Sequence, residues 1–175
     1  YCQEVFDRLE EESRGNPSMK PDVVHYSTLI TALGWRNDPA AVRKVQSIFQ
    51  GMKAAGIEPD LAAYAAVLAT MARTQSLEGA QRALLLLNEL EEMSKESGKE
   101  DLSPNLACYT SVIYAWARTG SPEASARCSD VYTRLEDAFE RSGRDPALRP
   151  NAVVFGALIE VEVKTGRADA GDRAC

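Results

Sequence analysis

The sequence predicts an all-α solenoid of helix-turn-helix repeats, on three observations. Pro followed by Asp or Asn stands at Pro21-Asp22, Pro59-Asp60, Pro104-Asn105 and Pro150-Asn151, at intervals of 38, 45 and 46 residues. Five residues after each Pro comes an aromatic (Tyr26, Tyr64, Tyr109, Phe155), and eight and nine after it come two aliphatics (Leu29-Ile30, Val67-Leu68, Val112-Ile113, Leu158-Ile159). Between these landmarks apolar residues step by three and four, the period of a helix that buries one stripe. A fixed frame at such periods marks stacked helical hairpins, none of which can bury its apolar face alone.

Residues 1–22 read as the second helix of an incomplete repeat, because Val5-Phe6 with Leu9 repeats the spacing of Ile48-Phe49 with Met52. Glu10-Glu11-Glu12 forms a solvated face, and Gly15-Asn16-Pro17-Ser18 a loop. The chain starts at Tyr1 inside a helix, so we expect an excerpt of a longer solenoid whose targeting information lies elsewhere. Residues 23–60 form a repeat: Val24, Tyr26, Leu29, Ile30 and Leu33 on the first helix, then a turn at Asn37-Asp38-Pro39. There Asp38 caps a helix that begins with Pro39, and Trp35 covers the turn. Val42, Val45, Ile48, Phe49 and Met52 define its second helix, closed at Gly56.

Residues 61–105 pair a small-residue first helix with a long second helix from about Leu77 to Ser97, buried through Ala80, Ala83, Leu84, Leu87, Leu90 and Met93. Between Ser76 and Pro104 seven acids face three bases, so much of the negative charge sits on second helices. Residues 106–151 reproduce the first repeat: Ile30 to Phe49 and Ile113 to Tyr132 are both nineteen residues. Ser121-Pro122-Glu123 repeats the cap-then-Pro device, the second helix runs to about Arg141, and Ser142-Gly143-Arg144-Asp145-Pro146 breaks it. Trp116 and Tyr114 read as inter-repeat packing groups rather than stacking platforms. Residues 152–175 begin a truncated repeat, with a hairpin turn expected at Lys164-Thr165-Gly166-Arg167.

Composition restricts function. A net charge of −6 argues against binding of nucleic acid through a basic arm, though not through one neutral or basic face. Cys2, Cys108, Cys128 and Cys175 make no CxxC pair for zinc or redox work, so we expect reduced thiols buried as small apolar groups. No run of 18 apolar residues spans a membrane. His25, the single histidine, has no Ser, Cys or carboxylate cluster around it and reads as an exposed first-turn residue. Paired acids such as Glu91-Glu92 and Glu100-Asp101 do not converge, and no Gly-rich phosphate loop occurs. We expect no enzyme activity, metal or cofactor in this chain. The first helices carry no Asp, Glu, Lys or Arg from Val23 to Trp35, Leu61 to Ala72 or Leu106 to Ala117. A face for neutral base edges needs short polar groups and few fixed charges.

The stretches PDVVHYSTLI, FQGMKAAGIEPD, PNLACYTSVIYAWARTG and PNAVVFGALIEVEVKTGR resemble the pentatricopeptide repeat family, in its P-type form with lengthened turns and second helices. The resemblance covers the whole chain and implies a right-handed α-solenoid whose first helices line a concave groove for single-stranded RNA, one base per repeat. It implies base choice by the residue after the first-helix aromatic with the last residue of the repeat. Ser27 with Asp60 then favours guanine and Thr110 with Asn151 adenine. Ala65 with Asn105 specifies poorly, Gly156 has the same defect, and Asp22 has lost its partner helix. Base-clamping positions are Val24, Ala62, Ala107 and Val153, the two alanines with a smaller grip. Arg36, Arg73, Arg118 and Lys164 fall where members often contact phosphate; a cation complementing a helix dipole accounts for them equally well.

The resemblance implies a role in RNA processing, stability or translation in a mitochondrion or chloroplast. A protein-interaction scaffold using the same surface is the competing reading, favoured by the acidic balance and by Ala65 and Gly156; the substrate-binding domain of a larger nuclease is a third. Clamping a base is worth about 1–3 kcal/mol, so three repeats supply roughly 3–9 kcal/mol against an association cost of about 4–15 kcal/mol. Residues 1–175 alone are expected to bind RNA weakly.

Overall fold

The computed structural model describes residues 4, 6, 8, 11, 20–34, 40–98 and 100–172, with those at 40, 97, 100 and 167–172 described by backbone only. The described positions 4, 6, 8 and 11 are helical. Seven further α-helices follow: α1 (Val23–Gly34), α2 (Ala40–Ala54), α3 (Leu61–Arg73), α4 (Leu77–Ser97), α5 (Leu106–Ala117), α6 (Ala124–Arg141) and α7 (Ala152–Asp172). Short 3-10 turns at Glu100–Leu102 and Pro146–Leu148 precede α5 and α7. The described residues form no strand, and the fold is an all-α repeat solenoid.

Each first helix starts for the same local reason. The Asp or Asn after the landmark Pro accepts backbone N–H groups that would otherwise be orphaned: Asp22 from Val24 and His25, Asp60 from Ala63, Asn105 from Cys108, and Asn151 from Val153 and Val154. The recurring dipeptide is therefore a helix start signal. The second helix α4 opens on Ser76, whose hydroxyl accepts from the Gly79 N–H, and ends at Gly98 in the left-handed conformation, φ 61°.

The first helices α1, α3, α5 and α7 pack side by side in one layer. Each second helix lies against its own first helix and against the next one, forming the other layer. The core between them holds Ile30, Leu68, Ile113, Val67, Val112 and the landmark tyrosines, all buried. Three of the four landmark aromatics meet a ring of the preceding helix: Phe6 with Tyr26, Phe49 with Tyr64 and Tyr132 with Phe155 have ring centroids 4.8, 5.0 and 5.9 Å apart. On α7 the registered positions Phe155 and Ile159 are exposed.

Close approach of α1 and α3 depends on Gly34. A Cβ there would come 2.2 Å from Thr70 Oγ1 and 2.4 Å from Arg73 Nη2. Thr70 is fully buried at this crossing, its hydroxyl donating to the Ala66 carbonyl.

One expectation changes. No turn occurs at Lys164-Thr165-Gly166-Arg167, because α7 runs unbroken to Asp172. Lys164 pairs with Glu160 one turn back and the Thr165 hydroxyl donates to the Val161 carbonyl, so both side chains continue the helix. Gly166 weakens a helix interior by about 1 kcal/mol, too little to break this one. The acids of α4 also join neighbouring helices. Glu89 accepts from Tyr64 and pairs with Lys53 of α2, while Glu91 accepts from Tyr109 and pairs with Arg134 of α6. Trp35 and the Asn37-Asp38-Pro39 turn lie outside the described residues, as do Cys2, Cys175 and the loop Gly15-Asn16-Pro17-Ser18.

Candidate nucleic-acid interface

The exposed side of the first-helix layer carries hydroxyls that are satisfied within their own helices. Ser27 donates to the Val23 carbonyl at 2.8 Å, Thr28 to Val24 at 2.7 Å, Thr31 to Ser27 at 2.8 Å and Thr110 to Leu106 at 2.6 Å. Each hydroxyl donor is spent and each oxygen retains acceptor capacity.

Two depressions on this side collect most of the sequence-derived positions. One, of about 550 Å³ between α1 and α3, is lined by Val24, Ser27, Asp60 and Ala62, together with Thr28 and Thr31. The other, of about 730 Å³ between α3, α5 and the start of α7, brings together Arg73, Asn105, Ala107, Thr110, Arg118, Asn151 and Val153. Val24 is 63% exposed and Val153 49%, so both aliphatic groups present apolar surface to solvent. Ala65 is half-buried on α3 and Gly156 is exposed on α7; neither lines these depressions. Arg36 lies outside the described residues.

The caps determine what each pair can offer a base. Asp60 uses Oδ1 on the Ala63 N–H at 2.8 Å, leaving Oδ2 as an acceptor beside the Ser27 oxygen. That set complements a base edge rich in N–H groups, as guanine has at N1 and N2. Asn151 uses Oδ1 on the Val153 and Val154 N–H groups at 3.0 and 3.2 Å, leaving its amide donors beside the Thr110 oxygen. That set complements adenine, which offers an acceptor at N1 and a donor at N6. Asn105 likewise turns its oxygen to Cys108 and keeps its amide donors, but Ala65 supplies no polar atom beside it.

The cations divide. Arg73 donates through Nε to the Gly34 carbonyl at 2.9 Å, closing the end of α1, and through Nη2 to Thr70. Lys164 reaches the Ala117 carbonyl at 3.4 Å, at the end of α5, besides pairing with Glu160 at 2.6 Å. Both complement the negative end of a neighbouring first helix. Lys164 itself sits in mid-helix, because α7 continues past it. Arg118 is exposed, with its guanidinium 5.1 Å from the Tyr114 ring centroid.

Electrostatics elsewhere concern stability. The hydrogen bond from His25 holds the Asp22 carboxyl below its usual range, and Lys164, helped by Arg118, does the same to Glu160. Burial, then Glu89 and Glu91, pushes the Tyr64 and Tyr109 hydroxyls well up. Cys108 and Cys128 are buried free thiols, and burial raises that of Cys128 to about 12, which suits packing and not reactivity. Among the described residues no cluster of His, Cys, Asp or Glu could hold a metal, and no helix is long and apolar enough to cross a membrane.

Thr28, Thr31 and Ser111 also line these depressions, and sequence reasoning did not single them out. Thr28 and Thr31 stand four residues after Val24 and Ser27, so helical periodicity pointed to them. Trp116 is buried as a packing group, while Tyr114 lines the larger depression. A family model described as the pentatricopeptide repeat domain matches residues 9–74 and again 47–117, together more than half of the chain. No curated protein matches it.

Proposed function

The chain belongs to the pentatricopeptide repeat family, helical-repeat proteins that generally bind RNA, and on that premise we propose that its first-helix face binds single-stranded RNA one base per repeat. Repeats at 23–60, 61–105 and 106–151 each address one nucleotide. Ser27 with Asp60 prefers guanine, Ala65 with Asn105 accepts any base, and Thr110 with Asn151 prefers adenine. Members of the family are typically non-catalytic and commonly organellar, and we assign this chain to RNA processing, stability or translation in a mitochondrion or chloroplast.

The observation that carries the reading is the division of charge. Three first helices present no formally charged side chain over Val23–Gly34, Leu61–Ala72 and Leu106–Ala117, while Arg and Asp or Asn gather at their ends. Such a surface meets neutral base edges without desolvating an ion, and it meets phosphate only at its rim. A protein scaffold would use the same surface. Crosslinking the protein that carries this chain to RNA in cells and sequencing the footprint separates the two. A discrete site with G, any base and A in the 5′ to 3′ direction supports base reading; recovery of a protein with no RNA above background refutes it.

A further inference from the structure

We propose that Tyr114 and Arg118 form a stacking subsite for the nucleotide addressed by Thr110 and Asn151, making the larger depression the anchor of the RNA-binding face. This deepens the RNA-binding reading above and rests on it. Thr110, Tyr114 and Arg118 stand at i, i+4 and i+8 of α5 and its cap, so they form one stripe along the depression. A hydroxyl oxygen, an aromatic ring and a guanidinium thus follow one another at intervals of about 6 Å along the helix axis. That sequence of groups matches a base edge, a base face and a phosphate.

Three further observations favour a nucleotide there. The residues lining the depression include Arg73 and Arg118 and no Asp or Glu, although the whole chain is acidic, so the local charge suits a phosphate. The clamp residue here is Ala107, whose methyl offers a base little apolar surface, and the Tyr114 ring adds apolar lining to the same depression. The Tyr114 hydroxyl has no hydrogen-bond partner among the described residues, whereas those of Tyr64, Tyr109 and Tyr132 each hold a glutamate. An aromatic with a cation on its ring is a platform that accepts any base. The equivalent positions on the other first helices are Thr31, Ala69 and Glu160, so the described array has one such platform. Glu160, one repeat on, is paired with Lys164 and acts on Arg118 only through space.

The test is ultraviolet crosslinking of the full chain to short single-stranded RNA containing GNA, with the adduct mapped by mass spectrometry, alongside the affinities of Tyr114 variants. Covalent trapping makes a weak complex readable. We expect adducts at Tyr114, a roughly five- to 150-fold loss of affinity in Tyr114→Ala and Tyr114→Leu, and recovery in Tyr114→Phe. The helical content of all three should match the parent, because the side chain is only half-buried. Adducts elsewhere on α1, α3 or α5, with Tyr114→Leu binding like the parent, overturn the stacking subsite and leave RNA binding standing. No adduct on any first helix overturns both.

Discussion

The two faces of these hairpins use their polar groups in opposite ways. On the second-helix side, polar groups tie one repeat to the next: Tyr64, Glu89 and Lys53 join the first and second repeats, and Tyr109, Glu91, Arg134 and Asn88 join the second and third. On the first-helix side the hydroxyls of Ser27, Thr28, Thr31 and Thr110 bond within their own helices, and the Asp and Asn caps use one side-chain atom and keep another. Stability is therefore concentrated on one face, and the other keeps atoms available for a ligand. Acidic second helices are then no argument against nucleic acid, because Glu78, Glu89, Glu91, Asp130, Glu136 and Glu140 meet partners on their own side of the molecule.

Breaking the second-helix side should cost the most. In Arg134→Ala, Glu91 loses a partner that approaches it at 2.7 Å and Asn88 loses one at 2.8 Å, and Glu91 is largely shielded from water. We expect a loss of about 3 kcal/mol in urea unfolding, with base preference unchanged. An unfolding midpoint like the parent's would show that the tie is decorative.

Alkaline pH probes the same side without a substitution. Tyr64 and Tyr109 titrate above their ordinary value of 10.0 because burial, then a neighbouring carboxylate, disfavours the phenolate. A folded-state value raised above the unfolded one contributes stability that is complete below pH 10 and declines as pH climbs towards the folded value. Tyrosinate absorbance should therefore arrive partly with loss of helix above pH 10. Ionisation of every tyrosine near 10 with the helices intact would contradict the burial.

On the first-helix side effects on stability should be smaller and effects on binding larger. Asn151→Ala removes a cap from α7, a loss of about 1 kcal/mol, and should abolish the preference for adenine. Thr110→Ala should change stability by less than about 0.5 kcal/mol while relaxing selectivity at the same base. If Thr110→Ala unfolded the protein and left selectivity intact, the division between the faces would fail.

The sequence made much of the scaffold legible because its signals are local. The expected bounds of about Leu77 to Ser97 match α4, and of the expected stripe Ala80, Ala83, Leu87 and Leu90 are buried, Leu84 and Met93 half-buried, with Leu86 added. What escaped depends on contacts between helices. The fit of Gly34 against Thr70 and Arg73 joins residues 36 and 39 apart and follows from how α1 and α3 cross. Lys164-Thr165-Gly166 looked like a turn because Gly and Thr favour turns, yet the Glu160 and Val161 contacts one turn back hold the helix. The landmark Asp and Asn residues were legible as markers, but their use as caps, which determines which atoms remain for a base, appeared only with the backbone geometry. Tyr114 belonged to the same helix as the buried Trp116, and two residues of helical rotation put it on the open side.

Asn151→Asp tests the central claim most directly. Asp caps a helix as well as Asn does, so α7 should be undisturbed, and the single chemical change replaces the free amide donors with an acceptor. Selection of RNA from a randomised pool by the protein carrying this substitution should move the preferred base at that position from adenine to guanine, with the guanine at the Ser27 and Asp60 position unmoved. Retention of adenine, or no preference at either position before and after the substitution, would contradict base reading by the first-helix face.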